Sequence, residues 1–475
     1  MQYSFSMGRM RGILAWGAYL PHGRLDRKAI RPVAGTGGGT GTRTVASYDE
    51  DATTLAVAAA RRTLSGAGAS PGAVWFATTQ PPYLDKTNAT ALHAALRLDR
   101  TVPAYDAVGS VRSAFAAVRA ACDAAVPVLV AASDIRGGRP GSADEAAGGD
   151  GAAALLIGSD SDGPVLAELV CNASVTEEFL DRWRAPAEAS SRVWEERFGE
   201  TVYGDLGGEA LKVVLEKAGI SADEVGTLIV AGLHGRAAAG VAARSGVPAD
   251  RIADRLDAGV GNVGAAQPAL LLAAALEEAV TQPPGKIIVL VVLADGADAM
   301  VLRTTSALAD HPITDPVATQ LSAGTSVSYG TFLAWRGMLP VEPPRRPEPA
   351  RPSASAARRN QAWKYGFVGS TGRDGMIRLP PSPLDDSPAP MSDATGTILT
   401  FTIDRLAYSP SPPVVFAVVD FDGGGRLPIE LTDVDEREID IGDRVELTFR
   451  KLFTADGIHN YFWKAQPLRS REGDV

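Results

Sequence analysis

The sequence predicts an α/β fold with covered sheets, followed by a small all-β barrel. Over residues 10–305, strand-like segments rich in β-branched residues alternate with Ala-rich amphipathic segments. This alternation occurs twice, with a less regular stretch at 160–205 between the two runs. After residue 390, short strands are separated by turn signals such as "DGGG" and "GD". Alternating strands and helices are typical of α/β folds, and a series of short strands is typical of small barrels.

Five segments of the first 305 residues are predicted as strands covered on both faces, because they are almost continuously apolar. These segments are 73–79, 126–133, 153–158, 227–233 and 286–294. The helical segments between them are rich in alanine, and such small side chains let a helix pack closely on a sheet. The two runs share an order of elements but no clear sequence repeat.

Composition excludes several functional classes. The chain has 475 residues, of which 45% are hydrophobic, and a net charge of −10. This acidity disfavours a general nucleic-acid or anionic-membrane binder, whose affinity would depend on Lys and Arg. No apolar run reaches the ~20 residues that a membrane span needs. Two cysteines, Cys122 and Cys171, are too few for a disulfide framework. We therefore expect a globular cytoplasmic protein that binds neither nucleic acid nor membrane.

The character of the chain changes near residue 306. The following stretch is rich in Pro, Arg and Ser, as in "PVEPPRRPEPARPS", and predicts an extended linker with one short helix. Four regions follow from these patterns: a first α/β half at 1–160, a second half at 161–305, a linker at 306–390 and a barrel at 391–475.

Five motifs occur in an order that is more specific than any one motif alone. They are "GILAWGAYLPHGRLD" (12–26), "DEDATTLAVAAARRTL" (49–64), "AASDIRGGRPGSADE" (131–145), "GGDGAAALLIG" (148–158) and "GVGNVGAAQPALLLAAALE" (259–277). This series resembles the thiolase fold, and within it the branch of the 3-hydroxy-3-methylglutaryl-CoA synthases and ketoacyl synthases III. The resemblance implies a duplicated thiolase-like fold.

The C-terminal region resembles a second family, whose members carry a zinc ribbon followed by an OB barrel and assemble with thiolases. The resemblance is carried by "SYGTFLAWRGMLPVEPPRRPEP", "WKYGFVGS" and "IGDRVELTF". It implies a degenerate ribbon within the linker region and an OB-fold domain at 391–475. The chain would then fuse two parts that can occur as separate subunits beside a thiolase.

The nucleophile of the thiolase-like enzymes is missing from its expected position. The family cysteine lies five residues after an aspartate, immediately before a helix, and counting from Asp106 places that position at Val111. A valine cannot attack a thioester, which requires a thiolate or an activated hydroxyl. Ser110 is one residue away and is a weak candidate nucleophile, but it also suits a helix cap or turn.

The other catalytic positions implied by the resemblance are also altered. Ala231 occupies the position of the family histidine, and His234, three residues later, is a weak substitute. Thr79 and Gln80 lie near the position of the glutamate of the synthase branch. Asn262 matches the family asparagine, although Asn between glycines also suits a tight turn that enters a helix. Because these groups act as a unit, their combined loss predicts a chain without the usual chemistry.

The zinc ligands of the C-terminal family are missing as well. Gly372 and Gly375 stand where the first Cys-x-x-Cys pair is expected, and no cysteine follows Cys171. A cysteine zinc site in this region is therefore excluded by the sequence. Cys122 lies in an Ala-rich helix and is predicted to be a small buried hydrophobic residue.

Three functions of different classes remain open. The first is a non-catalytic or degenerate synthase-like subunit that forms a homodimer through its thiolase-like domain and assembles with a thiolase acting on acyl-CoA. The second is an active acyl-CoA acyltransferase that uses displaced residues, such as Ser110 or Cys122 with His234. The third is a nucleic-acid-binding OB protein, which the acidic charge disfavours. We expect no resident cofactor and no metal; coenzyme A thioesters are the ligands that the resemblance leaves open.

Overall fold

The structure is a computed structural model that describes residues 9–384 and 387–468. The strands of the first half are β1 (Arg11–Tyr19), β2 (Gly23–Asp26), β3 (Thr42–Val45), β4 (Ala73–Thr78), β5 (Ala104–Val108), β6 (Val128–Ile135) and β7 (Asp150–Ser159). Its helices are α1 (Ile30–Ala34), α2 (Ala52–Ser65), α3 (Ala89–Ala95), α4 (Arg112–Asp123) and α5 (Ala143–Ala147). The strands predicted at 73–79, 126–133 and 153–158 correspond to β4, β6 and β7.

The second half repeats this arrangement with one strand fewer. Its strands are β8 (Ala167–Val175), β9 (Arg182–Trp183), β10 (Arg192–Val193), β11 (Thr227–Gly232), β12 (Ile287–Leu293) and β13 (Ala297–Thr304). Its helices are α6 (Glu196–Ala218), α7 (Gly235–Arg244) and α8 (Gln267–Ala279). The strands predicted at 227–233 and 286–294 correspond to β11 and β12.

A single nine-stranded sheet of order β11-β12-β13-β8-β1-β7-β6-β4-β5 joins the two halves. The halves meet where β1 pairs with β8 at Gly12–Glu168 and Ile13–Ala167. From this junction, β1-β7-β6-β4-β5 and β8-β13-β12-β11 follow the same order, and one parallel bridge between Leu228 and Ile252 stands in the place of a fifth strand. Helices α4 and α8, which contribute to one shared apolar core, are equivalent elements of the duplication. The predicted duplicated α/β fold is confirmed.

The linker region is more ordered than the sequence predicted. It contains α9 (Val317–Ser322), β14 (Thr325–Ser326), α10 (Tyr329–Trp335), α11 (Ala354–Arg359), α12 (Gln361–Gly366), β15 (Val368–Thr371), β16 (Ile377–Arg378) and β17 (Ser387–Pro390). The prediction of an extended segment with one short helix was therefore wrong. Helices of six or seven residues show little periodicity, and tertiary contacts stabilise them. Tyr329 and Phe332 are buried against Leu25 and Ile30, for example.

The C-terminal domain is a closed five-stranded barrel. Its strands are β18 (Thr395–Asp404), β19 (Val414–Phe421), β20 (Arg426–Glu430), β21 (Arg444–Ala455) and β22 (Ile458–Pro467). They pair in the order β20-β19-β18-β21-β22, and a parallel bridge between Leu431 and Ala465 closes the barrel. This closure removes the open edges of the sheet. The predicted all-β C-terminal domain is confirmed.

The barrel is attached to the first half by buried ion pairs. Lys464 of β22 lies 2.9 Å from the carboxylate of Asp49 and also pairs with Glu430, and its side chain is completely buried. Arg450 of β21 pairs with Glu50 and Asp433 in the same way. The acidic "DED" that opens α2 is thus the surface on which the barrel docks. Isolated buried charges are costly, so each of these groups depends on its partner.

None of the helices in the described residues is both long enough and apolar enough to span a membrane.

Candidate functional site

The predicted nucleophile position lies at a strand–turn–helix junction. Strand β5 ends at Val108, Gly109 turns the chain with a φ of +117°, and Val111 occupies the N-cap of α4. A glycine is suited to this turn because residues with a side chain rarely adopt a φ of this sign. Asp106 accepts hydrogen bonds at 2.7 Å from the amides of Asn88 and Ala89, and so caps α3. Asp106, which lies five residues before Val111, therefore has a structural role of its own.

Val111 brings no reactive group to this junction. Its side chain is 3% exposed and belongs to the apolar residues of the core. The next residue, Arg112, donates from Nε to Asp298 at 2.8 Å and from Nη1 to the carbonyl of Asp295 at 2.6 Å. These contacts tie the start of α4 to the second half of the molecule.

A cavity of about 610 Å³ opens beside this junction. Ser110, Val111, Thr79, Gln80 and His234 all line it, so five of the positions chosen from the sequence lie together. Asn262 is not among the residues that line it. The cavity thus gathers Val111, Thr79 and Gln80 with the two weak substitutes, whereas Ala231 and Asn262 lie outside its wall.

Ser110 has no base beside it. Its carbonyl accepts a hydrogen bond from the amide of Ser113 at 3.1 Å. Within the described residues, no histidine or carboxylate accepts a hydrogen bond from its hydroxyl, which an attacking serine would require. Nor is Ser110 the cap of α4, because Val111 takes that position. The hydroxyl faces the cavity without the partner that would activate it.

His234 uses both ring nitrogens in structural contacts. It is the N-cap of α7, where Nδ1 accepts from the amide of Ala237 at 3.2 Å. The other nitrogen, Nε2, lies 2.8 Å from the carbonyl oxygen of Glu196, so it carries the proton and donates it to that oxygen. With both nitrogens occupied, the ring has no lone pair to take a proton from a substrate in this arrangement. Ala231, at the family histidine position, is completely buried in β11.

Asn262 is held in a turn by backbone groups. Its Nδ2 donates to the carbonyl of Gly232 at 2.8 Å, and its Oδ1 accepts from the amide of Gly264 at 2.9 Å. Its own backbone amide and carbonyl bond to Ala147 and Gly149 across the molecule. This side chain therefore joins the strand end at Gly232 to the start of α8, which is the turn role anticipated from the sequence.

Thr79 is one of the two residues that the sequence resemblance places near the glutamate of the synthase branch. Its hydroxyl donates to Asp134 Oδ2 at 2.9 Å and accepts from Arg136 Nη1 at 3.0 Å. Asp134 is completely buried and also accepts from the amide of Ala265. This carboxylate belongs to the "AASDIRGG" motif, and its hydrogen bonds show a role in holding the cavity wall.

Sequence reasoning missed the segment 181–184, which forms one wall of the cavity. Asp181, Arg182, Trp183 and Arg184 all line it. Burial raises the pKa of Asp181, although the nearby His234 and Arg182 oppose this effect. The segment contains only the two-residue strand β9, so no periodicity marked it. The alternating charges and aromatic of "DRWR" were the available signal.

Cys122 lies far from the predicted nucleophile position. It lies eleven residues after Val111 on α4, which is about 16 Å along the helix axis. Its side chain is buried and borders a small apolar cavity with Phe115 and Val130. Burial raises the pKa of its thiol to about 11, so the thiolate is disfavoured at neutral pH.

An arginine fills the space beside Gly372 in the ribbon-like segment. A Cβ at Gly372 would lie 1.8 Å from Arg378 Nη1, so the guanidinium occupies the space that a side chain there would use. Arg378 pairs with Asp374 at 2.8 Å across the turn, and Gly375 has a φ of +76°. The described residues contain no group of three or more His, Cys, Asp or Glu side chains that could hold a metal ion.

Comparisons with known proteins agree with both parts of the chain, the thiolase-like body and the C-terminal barrel. The chain is 28% identical to the hydroxymethylglutaryl-CoA synthase of Aeropyrum pernix over 70% of this chain and 95% of that protein. It is also 28% identical to the synthase of Archaeoglobus fulgidus over 69% of this chain and 98% of that protein. The family "ChsH2, C-terminal OB-fold domain" matches residues 389–450.

Solved structures show the same fold. The likeness to MvaS in complex with 3-hydroxy-3-methylglutaryl coenzyme A has a TM-score of 0.58 at 21% identity, covering 73% of this chain and 95% of that chain. The likeness to the 3-oxoacyl-(acyl carrier protein) synthase III of Pseudomonas aeruginosa has a TM-score of 0.55 at 20% identity, covering 63% of this chain and 99% of that chain. The chain therefore has the fold of these synthases, is similar in sequence to hydroxymethylglutaryl-CoA synthases, and ends in a region that matches the ChsH2 C-terminal OB-fold domain family.

Proposed function

We propose that this chain is a non-catalytic subunit that assembles with a thiolase and supports formation or cleavage of carbon–carbon bonds in acyl-CoA substrates. The observation that carries the proposal is the buried Val111 at the start of α4, where a synthase of this fold needs a thiolate. The occupied nitrogens of His234 and the raised thiol pKa of Cys122 support the proposal, because they disfavour two of the possible substitutes.

The fused OB domain supports a partnership with a thiolase. The resemblance of the C-terminal region implies a family that assembles with thiolases. Here the barrel is attached to the thiolase-like body by Asp49, Glu50, Arg450 and Lys464. A chain that has lost its own nucleophile can still present this combined surface to an active enzyme. The acyl chemistry would then take place in the partner.

The open edge of the nine-stranded sheet supports a homodimer. Strand β5 is the last strand of the sheet and, among the described residues, pairs with β4 alone. Its Tyr105 and Val108 are 49% and 46% exposed, which is unusual for large apolar side chains on a sheet edge. A second copy that adds its own β5 would cover these side chains and pair the free backbone groups.

The intact mass of the protein after incubation with acetyl-CoA and longer acyl-CoAs tests the loss of catalysis. We expect no acyl adduct. An added acyl group that maps to Ser110 or Cys122 would instead establish the alternative, an active acyltransferase with displaced residues. The similarity to hydroxymethylglutaryl-CoA synthases along nearly their whole length and the cavity beside Val111 keep this alternative worth testing.

Purification of the tagged chain from its native cells tests the partnership. We expect a thiolase to co-purify, and the mixture to form or cleave acyl-CoA carbon–carbon bonds. Turnover of acetyl-CoA with an acceptor by the isolated chain would contradict the proposal. Control purifications use the Lys212→Gln variant, which changes one exposed charge on α6 and should retain the same partner.

A further inference from the structure

A second cleft, of about 810 Å³, lies between the thiolase-like body, the linker and the barrel. The body contributes the loop and helix from Tyr83 to Ala91, the linker contributes α11 and α12, and the barrel contributes the start of β22. The cleft is separate from the cavity beside Val111, since the two share no lining residue. Its existence depends on the fusion of the linker and barrel to the body.

The cleft is lined by cations in a protein that is acidic overall. Lys86, Arg351 and Lys364 line it, together with His459, and no carboxylate is among the described residues that do so. The whole chain carries a net charge of −10. Such a local concentration of positive charge attracts anions and is typical of phosphate-binding surfaces.

These cations are poorly neutralised by the protein itself. Burial alone lowers the pKa of Lys364, and no carboxylate in the described chain pairs with it. Lys86 donates to two neutral oxygens, the carbonyl of Thr87 at 3.0 Å and the hydroxyl of Thr90 at 2.7 Å, and the charge of Asp106 offsets the effect of its burial only in part. Arg351 makes a single long ion pair, at 3.8 Å, with the exposed Asp456. A bound anion would supply the negative charge that these groups lack.

Aromatic rings form one wall of the same cleft. The rings of Tyr83 and His459 have centroids 4.9 Å apart, and those of His459 and Tyr461 are 6.0 Å apart. Tyr365 continues the series at 6.4 Å from Tyr461. Rings in this arrangement offer flat faces and edges against which a planar ligand group can stack.

We propose that this cleft binds a nucleotide, with its phosphates on Lys86, Arg351 and Lys364 and its base against the rings of Tyr83 and Tyr365. The volume lies within the range of about 300–1,000 Å³ that is usual for small-molecule sites. Cations alone would accept any anion, and the aromatic wall is what selects a ligand that also carries a planar ring. The ligand is either a free nucleotide or the nucleotide end of a coenzyme A thioester. This inference does not depend on the proposed function.

Isothermal titration of the full chain with adenosine diphosphate tests the site. We expect adenosine diphosphate to bind about tenfold more tightly than inorganic pyrophosphate, because base stacking adds to the charge contacts. Lys364→Gln should weaken adenosine diphosphate binding by about tenfold, since it removes a charge-assisted contact. The matched control Lys212→Gln, which removes an exposed lysine of α6, should change the affinity by less than about twofold.

Competition with coenzyme A then identifies the source of the nucleotide. If coenzyme A displaces adenosine diphosphate from the parent chain but not from Lys364→Gln, the proposal is supported and the ligand is a coenzyme A thioester. Retention of adenosine diphosphate in excess coenzyme A supports it with a free nucleotide as the ligand. The proposal is overturned if adenosine diphosphate does not bind, if pyrophosphate binds equally well, or if Lys364→Gln binds as the parent chain does.

Discussion

Replacing Lys464 with methionine tests the attachment of the barrel to the thiolase-like body. The Lys464 side chain is 0% exposed, its Nζ lies 2.9 Å from Asp49 Oδ2, and it also pairs with Glu430. Its ammonium lies 5.1 Å from the centre of the Tyr48 ring. Methionine keeps a similar shape and removes the charged ammonium together with its hydrogen bonds to Tyr48 and Glu430. The variant therefore leaves one fully buried carboxylate and one largely buried carboxylate without their cation.

The expected loss is large because a buried charge is left without a partner. Breaking such a pair by removing one member costs about 3–5 kcal/mol. Folded domains are stable by only about 5–15 kcal/mol, so this loss is a substantial fraction of the total. The matched control Lys212→Met removes a 74% exposed lysine that lies 3.9 Å from Glu216, and should cost less than about 0.5 kcal/mol.

The pH dependence provides a second readout of the same pair. Burial would raise the pKa of Asp49, but the charges of Lys464 and Arg450 outweigh it and hold the pKa well below its usual range. The parent chain therefore gains stability from Asp49 above about pH 4 and loses it as the pH falls further. Without Lys464, the pKa of Asp49 should rise towards and above its unfolded value, because Arg450 and the hydrogen bond from Ser47 are then left to oppose the effect of burial. The loss of unfolding free energy in Lys464→Met, relative to the parent chain, should then become smaller as the pH falls from about 7 to about 5.

Urea unfolding at both pH values, followed by tryptophan fluorescence, measures these effects. Trp463, next to Lys464, is completely buried and donates from Nε1 to the carbonyl of Tyr365 at 2.8 Å, so its emission reports on the barrel. The double variant Asp49→Asn with Lys464→Met should be more stable than Lys464→Met alone. A loss below about 1 kcal/mol for Lys464→Met, or a double variant less stable than the single one, would refute the reasoning.

Three further predictions concern other parts of the molecule. Burial raises the pKa of Glu277 to about 7, so the free energy of unfolding should fall as the pH rises from about 4.5 to 7. In urea unfolding, Glu277→Gln should reduce this change in stability by roughly 3 kcal/mol. The same pH dependence in the variant and the parent chain would contradict the assignment. Val111→Cys places a thiol at a helix N-terminus and should gain one acetyl group by intact mass with acetyl-CoA; an unmodified thiol would show that acyl-CoA does not reach the cavity. Tyr105→Lys with Val108→Glu should convert a dimer to a monomer in light scattering, and a monomeric parent chain would contradict the proposed homodimer.

Much of the fold could be predicted from the order of short patterns. The continuous apolar segments at 126–133 and 286–294 correspond to β6 and β12. Strands that are buried on both faces consist almost entirely of apolar residues, so they can be recognised in the sequence. Segment 181–184 and the linker helices could not be predicted in this way. Their elements are too short to show periodicity, and contacts with distant parts of the chain stabilise them.

The sequence by itself determined which chemical groups are available. Valine at position 111 and the lack of any cysteine after Cys171 are facts of covalent identity, and no folding can supply a missing thiolate there. Tertiary structure alone decided how the remaining groups are used. The Lys464–Asp49 pair and the Tyr83–His459 contact join residues 415 and 376 positions apart, which no local pattern encodes. The cation-lined cleft therefore became visible only once the barrel was packed against the body.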